Sequence, residues 1–544
     1  MNRKVFIGGA WPYANGSLHI GHMAALVPGD VLARYFRAKG DEVIYVSGSD
    51  CHGTPISVRA NKEGVSPASI AQRYHDEFAD CFKRMEFSYS EYSNTMDPYH
   101  EQFVKEFFEK LIENGQLYEK TINQVFCEKC NKFLPDRYVN GICPVCGAEA
   151  RGDQCDSCGS LLEPEQLGNI RCAICGSSPV LRPSSQLYLN IIQHEAALRE
   201  FVEKKVDIWR QNAWNESNKY LNSGLQDRAA TRDIDWGIEV PLQGYEQKRI
   251  YVWFEAVLGY LSMAKKYCEK NGIDFLDFWQ NSYHYYVHGK DNIPFHTIIL
   301  PALLLASGEY HLPDMIVSSE YMTLEGKKIS TSKNWAIWIP YLLDHYDADS
   351  IRLYFLAFGP ETKDADFSWE NFITFHNGQL LGAYGNFVNR TLAFINKYCD
   401  SIVPKGTIDP AVEDAIDTAF SDTSDAIERG NFRDAIKHIF ALVNFANKYY
   451  DENKPWVTRT ENPEACNELL FNCVQIITNL AVLFAPFIPA SSEKVSSWLK
   501  TDLSWEKKEV AGAITIPAVE VLYQRIDKKR IKEELDTLKK GAPA

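Results

Sequence analysis

Two histidines lie three residues apart in the segment WPYANGSLHIGHM, which spans residues 11–23. His19 and His22 stand at the start of a predicted helix, so both imidazoles share one face. Gly16 and Gly21 allow a ligand to approach the backbone closely, and a helix N-terminus offers free N–H groups to an anion. The pattern suits phosphate chemistry, with a structural histidine pair or half of a metal site as the alternatives.

A second polar segment, EGKKISTSKN, occupies residues 325–334. It places Ser330, Thr331 and Ser332 between Lys328 and Lys333, directly after a glycine turn. The hydroxyl donors and the two mobile cations can hold a polyanion, and the same composition is typical of a solvated surface loop. The rest of the chain has to show whether this segment is a phosphate-binding loop or an ordinary surface loop.

Four Cys-x-x-Cys pairs fall within one stretch of the chain: CEKC (127–130), CPVC (143–146), CDSC (155–158) and CAIC (172–175). Each pair supplies two of the four thiolates that tetrahedral zinc requires, so the pattern predicts two structural zinc sites. An iron–sulfur cluster is the metal alternative. Disulfides are disfavoured because the N-terminus lacks the apolar core of an export signal. The spacing permits both sequential pairing and nested pairing, in which the two inner pairs share one ion.

The elements that must position these residues are those of an α/β fold. Strand patterns at 5–9 and 42–50 flank a helical pattern, which predicts a βαβ unit and a parallel sheet. We expect that helix to break at Pro28–Gly29, with Asp30 capping a second piece. Strand patterns return at 248–253, 283–289 and 314–322, so the segment with the cysteine pairs is predicted to split the sheet.

Long helical patterns replace the strands from about residue 371. In residues 432–450 the apolar side chains recur at helical spacing, which predicts a core-facing stripe within a helical bundle. The chain has 544 residues, enough for about three or four domains. Its net charge of −15 excludes a generally basic nucleic-acid binder but leaves room for a local basic surface. The most apolar run, 480–490, is too short to span a bilayer, so we expect a cytoplasmic protein with no membrane partner.

The HIGH sequence at 19–22 after a first strand, together with KISTS at 328–332 after a late strand, resembles the class I aminoacyl-tRNA synthetases. The resemblance is closest to the methionyl-tRNA synthetases and extends over essentially the whole chain. Besides the cysteine pairs, it is carried by AWPYANGSLHIGH (10–22), SGSDCHGTP (47–55), YVWFEAVLGY (251–260), HGKDNIPFHT (288–297), KISTSKNWAIW (328–338) and NKPW (453–456). It implies a split Rossmann-like, parallel-sheet catalytic domain with a zinc-knuckle insertion, followed by an all-α anticodon-binding helical bundle.

The family joins methionine to ATP, releasing pyrophosphate, and then passes methionine to the terminal adenosine of tRNA(Met), the initiator tRNA included. The resemblance implies catalytic roles for His19, His22, Lys328 and Lys333. It assigns the binding of ATP, which enters with Mg2+ as a substrate, to Gly21, Gly289, Asp291, Lys328, Ser330, Thr331 and Ser332. It assigns the methionine pocket to Ala10, Trp11, Tyr13, Asp50, Trp253, Ala256, Tyr260, Phe295 and His296.

For the helical bundle, the resemblance assigns anticodon reading to Asn386, Arg390 and Trp456. For the metal sites it favours nesting, because some relatives retain only the two inner cysteine pairs. Nesting puts one zinc ion on Cys143, Cys146, Cys155 and Cys158, and a second on Cys127, Cys130, Cys172 and Cys175. Some relatives dimerise through an appended C-terminal module that is absent from this sequence, so we expect a monomer.

The resemblance divides the chain into five segments. They are the first catalytic half (1–118), the zinc-binding insertion (119–245), the second catalytic half (246–324), the KMSKS-type loop with the stem-contact region (325–370), and the anticodon-binding domain (371–544). A class I synthetase for another amino acid and an inactive zinc-ribbon tRNA-binding protein are the alternative functions. Trp11 stands where many relatives have a smaller apolar residue, and Thr331 departs from the family too, since KMSKS-type loops carry a second lysine at this position. We expect Lys333 to supply part of that charge.

Overall fold

The computed structural model describes residues 2–135, 138–152, 155, 157–158, 162 and 164–541, with only the backbone described at 165 and 332. Its strands, in chain order, are β1 (Lys4–Gly9), β2 (Glu42–Ser49), β3 (Glu91–Asn94), β4 (Leu117–Cys127), β5 (Lys132–Phe133), β6 (Val139–Ile142), β7 (Glu149–Arg151), β8 (Gly168–Cys172), β9 (Val180–Leu189), β10 (Arg228–Ala229), β11 (Thr231–Arg232), β12 (Arg249–Ile250), β13 (Ser282–Gly289), β14 (Met315–Ser319), β15 (Met322–Leu324), β16 (Lys327–Lys328) and β17 (Ala365–Phe367).

The helices have their own numbers, also in chain order. In chain order they are α1 (Ile20–Ala38), α2 (Thr54–Glu63), α3 (Pro67–Arg84), α4 (Pro98–Glu113), α5 (Glu195–Glu203), α6 (Gln211–Asn222), α7 (Val252–Asn271), α8 (Phe275–Asn281), α9 (Leu300–Ser307), α10 (Ile339–His345), α11 (Ala348–Phe358), α12 (Trp369–Phe375), α13 (Asn386–Tyr398), α14 (Pro410–Glu428), α15 (Phe432–Asn453), α16 (Pro455–Glu461), α17 (Pro463–Phe484), α18 (Pro489–Leu499) and α19 (Lys529–Lys540).

A five-stranded parallel sheet organises the catalytic half of the chain, in the order β14-β13-β1-β2-β3. Its central strands are almost entirely buried, as parallel strands covered on both faces require. Three strands precede the cysteine-rich insertion and two follow it, which confirms the split α/β prediction. Because the chain reverses its strand order beside β1, a ligand crevice is expected at the carboxyl ends there.

One continuous helix, α1, follows β1 where the sequence predicts a break, so that prediction is wrong. Pro28 lies inside the helix, which packs on the sheet and on α11. Asp30 is not a cap, because it is fully buried and its carboxylate accepts from Arg34 and Arg352. Burial of the whole helix outweighs the local penalty of one proline, which removes a single backbone hydrogen bond.

The strand predicted at 248–253 is wrong apart from two residues. β12 contains only Arg249–Ile250 and pairs antiparallel with β11, outside the parallel sheet. Tyr251 adopts the extended cap conformation, its N–H donates to Ala230 O, and α7 begins at the next residue. An aromatic, β-branched run is common to strands and buried helix starts, so composition alone could not separate them.

The insertion forms two small antiparallel sheets, ordered β10-β9-β4-β5 and β7-β6-β8. The C-terminal half is helical, and α15 buries the predicted stripe of Ile436, Ile439, Phe440, Val443 and Ala446. Among the described residues, α17 is the one helix long and apolar enough to cross a membrane by length and composition. It is almost wholly buried against α13, α14, α15 and α18, which is typical of a core helix.

Candidate active site

The carboxyl ends of β1, β2 and β13 bring distant predicted residues to one edge of the parallel sheet. β1 is followed by Ala10 and Trp11, β2 by Asp50, and β13 by Lys290 and Asp291. Parallel strands deliver their carboxyl ends to the same side, which is where such sheets bind ligands. Predicted methionine and ATP residues therefore lie at the same edge of the sheet.

His19 and His22 form the N-terminal cap of α1 at this edge. His19 Nδ1 accepts the Gly21 N–H at 3.1 Å, and His22 Nδ1 accepts the His19 N–H at 3.2 Å. This reciprocal arrangement is a capping box, and the two rings stack with their centroids 3.8 Å apart. Because each Nδ1 is an acceptor, each neutral ring carries its proton on Nε2 and can donate from that atom to a ligand.

Both histidines are held in the neutral form. Burial lowers the pKa of His22 to about 4. Burial, followed by the proximity of His22, lowers the pKa of His19 well below its usual value. At neutral pH the protein therefore presents two uncharged N–H donors beside the positive end of a helix dipole, which can hydrogen-bond phosphate oxygens.

The loop that carries KISTS is attached to the histidine turn at its base. The Ile20 N–H donates to Ile337 O at 3.1 Å, and the Ile339 N–H donates to Leu18 O at 2.8 Å. Two backbone bonds from opposite sides of one turn fix the end of the loop beside the start of α1. The loop therefore stands beside the candidate phosphate donors of the histidine turn.

The tip of the same loop faces solvent. The side chains of Lys328, Thr331 and Lys333 are exposed, and Ser330 is partly exposed. The side chain of Ser332 lies outside the described residues. An anchored base with an exposed, cationic tip suits a segment that closes over a polyanion held at the histidine turn.

An aromatic wall contains most of the predicted methionine-binding residues. Trp253 Nε1 donates to the Tyr13 hydroxyl at 2.5 Å, and its ring meets Phe295 edge to face at 4.2 Å. The Tyr260 hydroxyl and His296 Nε2 lie 2.8 Å apart. The residues at 295–296 begin a π-helical turn, a local distortion frequent at functional sites.

Two glycines leave the space that the Trp11 ring occupies. A Cβ added to Gly259 would stand 2.6 Å from the Trp11 ring, and one added to Gly48 would stand 2.7 Å from it. Neither position can take a larger residue while the indole stays where it is. The two small residues predicted for the pocket differ in exposure, since Ala10 is buried and Ala256 is partly exposed.

Asp50 belongs to a buried charged cluster with His52 and Glu255. The His52 N–H donates to Asp50 Oδ1 at 3.3 Å, and His52 Nδ1 lies 2.9 and 3.0 Å from the two Glu255 carboxylate oxygens. Burial, followed by the charge of Glu255, raises the pKa of Asp50 well above its usual value. A ligand ammonium group would favour the ionised carboxylate and offset that effect.

The turn after β13 holds the predicted ATP residues Gly289 and Asp291. Within the described part of the chain, and apart from its two chain neighbours, no heavy atom lies within 4 Å of a Cβ placed on Gly289, so a ligand can approach this backbone. Asp291 is exposed, and its carboxylate accepts a hydrogen bond from the hydroxyl of Tyr321.

The cysteine pairs come together in nested quartets. Within each quartet, the sulfur atoms all lie within 4.8 Å of one another. The quartets are Cys127, Cys130, Cys172 and Cys175, and Cys143, Cys146, Cys155 and Cys158. A tetrahedral zinc ion holds its sulfurs about 3.8 Å apart, so both sets fit zinc. Backbone N–H groups of Cys130 and Val145 also reach the Cys127 and Cys143 sulfurs at 3.4 Å.

The residues predicted to read the anticodon lie on one surface of the helical bundle. The Arg390 guanidinium lies 4.2 Å from the Tyr450 ring centroid, and that ring is 6.3 Å from Trp456. Trp456 is 53% exposed, and Asn386, one turn before Arg390 on α13, is exposed too. Asp451 pairs with Arg390 at 2.7 Å. An exposed indole, an amide and an oriented guanidinium suit contacts with single-stranded bases.

Comparison with known proteins gives the family. A family model described as "tRNA synthetases class I (M)" matches residues 5–392, and one described as "Anticodon binding domain of methionyl tRNA ligase" matches residues 403–534. Methionine–tRNA ligase 1 of Alkaliphilus oremlandii is 51% identical over 537 residues, which cover 98% of this chain and 99% of that protein. The chain belongs to the methionyl-tRNA synthetase family. Methionine–tRNA ligase of Bacillus cereus strain Q1 is 49% identical over 539 residues, with the same two coverages.

Solved structures of methionyl-tRNA synthetases have the same fold. The Mycobacterium tuberculosis enzyme bound by methionyl-adenylate superposes with a TM-score of 0.80, covering 96% of this chain and 100% of that one at 20% identity. The ligand-free form of that enzyme superposes with a TM-score of 0.74. At this level of identity the likeness establishes the fold alone.

The structure adds three residues to the candidate site that the sequence does not predict: His52, Glu255 and Tyr321. His52 stands two positions after Asp50 in SGSDCHGTP, and Glu255 lies among the pocket residues of YVWFEAVLGY. The sequence signal for both residues was an ionisable side chain inside a motif that carries the family resemblance. No signal marked Tyr321, because its contact with Asp291 depends on how two neighbouring strands end.

Proposed function

We propose that this chain, a methionine–tRNA ligase by family, activates methionine and charges tRNA(Met) with the residues gathered at the carboxyl edge of its sheet. The observation that carries the assignment is the attachment of the KISTS-bearing loop to the His19–His22 cap. It supports the proposal because the loop with Lys328 and Lys333 is anchored beside the histidine N–H donors, at the edge of the sheet where the predicted methionine-binding residues lie.

The first step is in-line attack of the methionine carboxylate on the α-phosphorus of ATP, with pyrophosphate leaving. The reaction gains most from positioning and from charge stabilisation. His19 and His22 donate from Nε2 to phosphate oxygens as charge builds on them. Lys328 and Lys333 close over the leaving pyrophosphate, assisted by Gly21, Ser330, Thr331 and Ser332. Mg2+ enters with ATP and neutralises part of the phosphate charge.

Methionine binds between Asp50 and the aromatic wall. Asp50, ionised, pairs with the substrate ammonium group, while its own burial keeps water from competing. The ring faces of Trp253 and Tyr260 contact the thioether, since sulfur–aromatic contacts add roughly 0.3–1.5 kcal/mol each. Gly289 and Asp291 hold the ribose of ATP. In the second step the terminal adenosine hydroxyl of the tRNA attacks the activated carbonyl and AMP leaves.

Each cysteine quartet would hold one structural zinc ion. Four-thiolate sites are closed to substrates, so the metal would stabilise the insertion and take no part in the chemistry. Loss of zinc should therefore affect activity only through a change in the structure of the insertion.

The helical bundle recognises tRNA(Met), including the initiator tRNA, through Asn386, Arg390 and Trp456. Basic side chains near these residues supply contacts with the tRNA phosphates, although the chain as a whole has a net charge of −15. We propose the domain boundaries given above, 1–118, 119–245, 246–324, 325–370 and 371–544, for a cytoplasmic monomer.

Amino-acid-dependent exchange of pyrophosphate into ATP tests the proposal. Exchange with methionine alone supports it. Exchange with a different amino acid would assign a different class I specificity, and no exchange with any amino acid would favour an inactive zinc-ribbon tRNA-binding protein.

A further inference from the structure

Two side-chain contacts continue the pairing of β13 and β14 beyond the ends of the strands. Gly289 and Ser319 are register partners at the last position of the ladder. The next residues on the two strands bind each other, since Lys290 Nζ donates to Glu320 Oε2 at 2.6 Å. One residue further, the Tyr321 hydroxyl donates to Asp291 Oδ1. The parallel register thus delivers Tyr321 to Asp291.

Tyr321 is fixed by its backbone while its side chain stays accessible. Its N–H donates to Asp364 Oδ1 at 3.0 Å, and its carbonyl accepts the Ala365 N–H at 3.0 Å. Its side chain is nevertheless 46% exposed at the ligand edge of the sheet. A hydrogen bond between an exposed tyrosine and an exposed carboxylate contributes little to folding, so its main effect is on the orientation of Asp291.

A carboxylate has two acceptor oxygens. The hydroxyl of Tyr321 binds Oδ1 of Asp291, which leaves Oδ2 to accept from a ligand hydroxyl. Without the tyrosine hydroxyl, the exposed Asp291 side chain would sample several rotamers and bind a ligand hydroxyl only in some of them.

We propose that Tyr321 is a positioning residue for the ribose of ATP, acting by holding the carboxylate of Asp291 in the orientation that accepts a ribose hydroxyl. The inference rests on the proposed role of Asp291. Tyr321 also precedes β15, which pairs with β16 and leads into the KISTS-bearing loop. The same contact therefore connects the ribose turn to the strand that leads into the loop with Lys328 and Lys333.

The test uses pyrophosphate exchange by the full chain with ATP, 2′-deoxy-ATP and 3′-deoxy-ATP. We expect Tyr321→Phe to raise the KM for ATP about fivefold, the effect of losing one ordinary hydrogen bond. The KM for methionine and kcat should stay within experimental error. The deoxynucleotide that lacks the hydroxyl bound by Asp291 should show no further loss in the variant, because the two changes remove the same interaction.

Tyr118→Phe is the matched control. The Tyr118 hydroxyl donates to Asp227 at 2.9 Å, and this tyrosine, on β4, is 39% exposed, so it reproduces the chemistry away from the nucleotide. This variant should keep the KM for ATP of the unmodified protein.

Asp291→Asn separates failure of the inference from failure of the proposed function. If Asp291→Asn raises the KM for ATP and Tyr321→Phe does not, Asp291 keeps its role and the positioning inference is overturned. If neither variant changes the KM for ATP, the assignment of Asp291 fails and the inference fails with it. Equal losses for Tyr321→Phe with ATP and with both deoxynucleotides would also overturn it.

Discussion

The rings of His19 and His22 stack with centroids 3.8 Å apart, and each Nδ1 accepts a backbone N–H. Only Nε2 of each ring is left to meet a ligand. A glutamine amide reaches about as far as Nε2, whereas an asparagine amide reaches only as far as Nδ1. We therefore expect His22→Asn to lower kcat for adenylate formation about 100- to 1,000-fold and His22→Gln to lose less.

Pyrophosphate exchange at saturating methionine and ATP measures both histidine variants. His438→Asn is a control, since His438 is a partly exposed residue of the helical bundle. Equal losses for the two His22 variants would show that donation from Nε2 is not what the histidine contributes.

The carboxyl of Asp50 should make methionine binding depend on pH. Burial and the nearby Glu255 raise its pKa well above its usual value, and the substrate ammonium group requires the ionised form. The KM for methionine should therefore fall as pH rises through that raised pKa, over the range in which the amine of methionine stays protonated. Glu255→Gln removes a negative charge near Asp50. The inflection in the plot of the KM for methionine against pH should therefore move to lower pH.

The KM for methionine, measured by pyrophosphate exchange over a pH series, gives this inflection. The KM for ATP in the same series serves as the internal control. An inflection that stays in place in Glu255→Gln would mean that Glu255 does not influence the ionisation of Asp50.

The division of charge in the KISTS-bearing loop can be tested with three substitutions. Lys328→Ala should nearly abolish adenylate formation, and Lys333→Ala should reduce it in part, since Thr331 can donate to phosphate but cannot offset charge. Thr331→Lys should restore the Lys333→Ala variant. Lys327→Ala is the control, because the Lys327 ammonium lies over the Trp335 ring at 4.7 Å.

Single-turnover rates of adenylate formation measure these variants. Full activity in Lys333→Ala together with a crippled Lys328→Ala would contradict the idea that Lys333 substitutes for the missing lysine.

Removal of one cysteine should disturb only its own quartet. Cys127→Ala should lose one of two zinc ions and leave Cys172 and Cys175 open to alkylation, while Cys143 stays protected. Mass spectrometry of the native protein counts the metal, and mapping of alkylated peptides locates the exposed thiols. Cys81→Ala, a buried thiol outside both quartets, should keep both ions. Exposure of Cys143 in Cys127→Ala would argue against nested sites.

Anticodon recognition should be separable from chemistry at the sheet edge. Trp456→Ala removes an exposed stacking surface worth roughly 1–3 kcal/mol per base. We expect a raised KM for tRNA(Met) in aminoacylation and no change in methionine-dependent pyrophosphate exchange. Arg390→Lys should also raise the KM for tRNA(Met), because lysine cannot keep both the contact with Asn447 and the pairing with Asp451. A loss of pyrophosphate exchange in either variant would indicate a general folding defect.

The sequence predicted those parts of the site that lie within single motifs. The neighbouring residues of HIGH determine that His19 caps a helix, and the hydroxyls and lysines of KISTS determine a cationic, polar loop. The break at Pro28 and the strand at 248–253 were predicted wrongly for one reason. Local composition reports intrinsic preference, whereas burial of α1 and α7 against the sheet outweighs it.

Residue types and spacings alone predict the α/β class, the candidate metal-ligating cysteines and the resemblance to the synthetases, because those properties belong to a few adjacent residues. Only the folded arrangement decides which cysteine pairs share a quartet, which charge faces Asp50 and what holds Asp291. Glu255 lies 203 residues from His52, and Tyr321 lies 30 residues from Asp291. Such contacts depend on strand order and register, which no local pattern specifies.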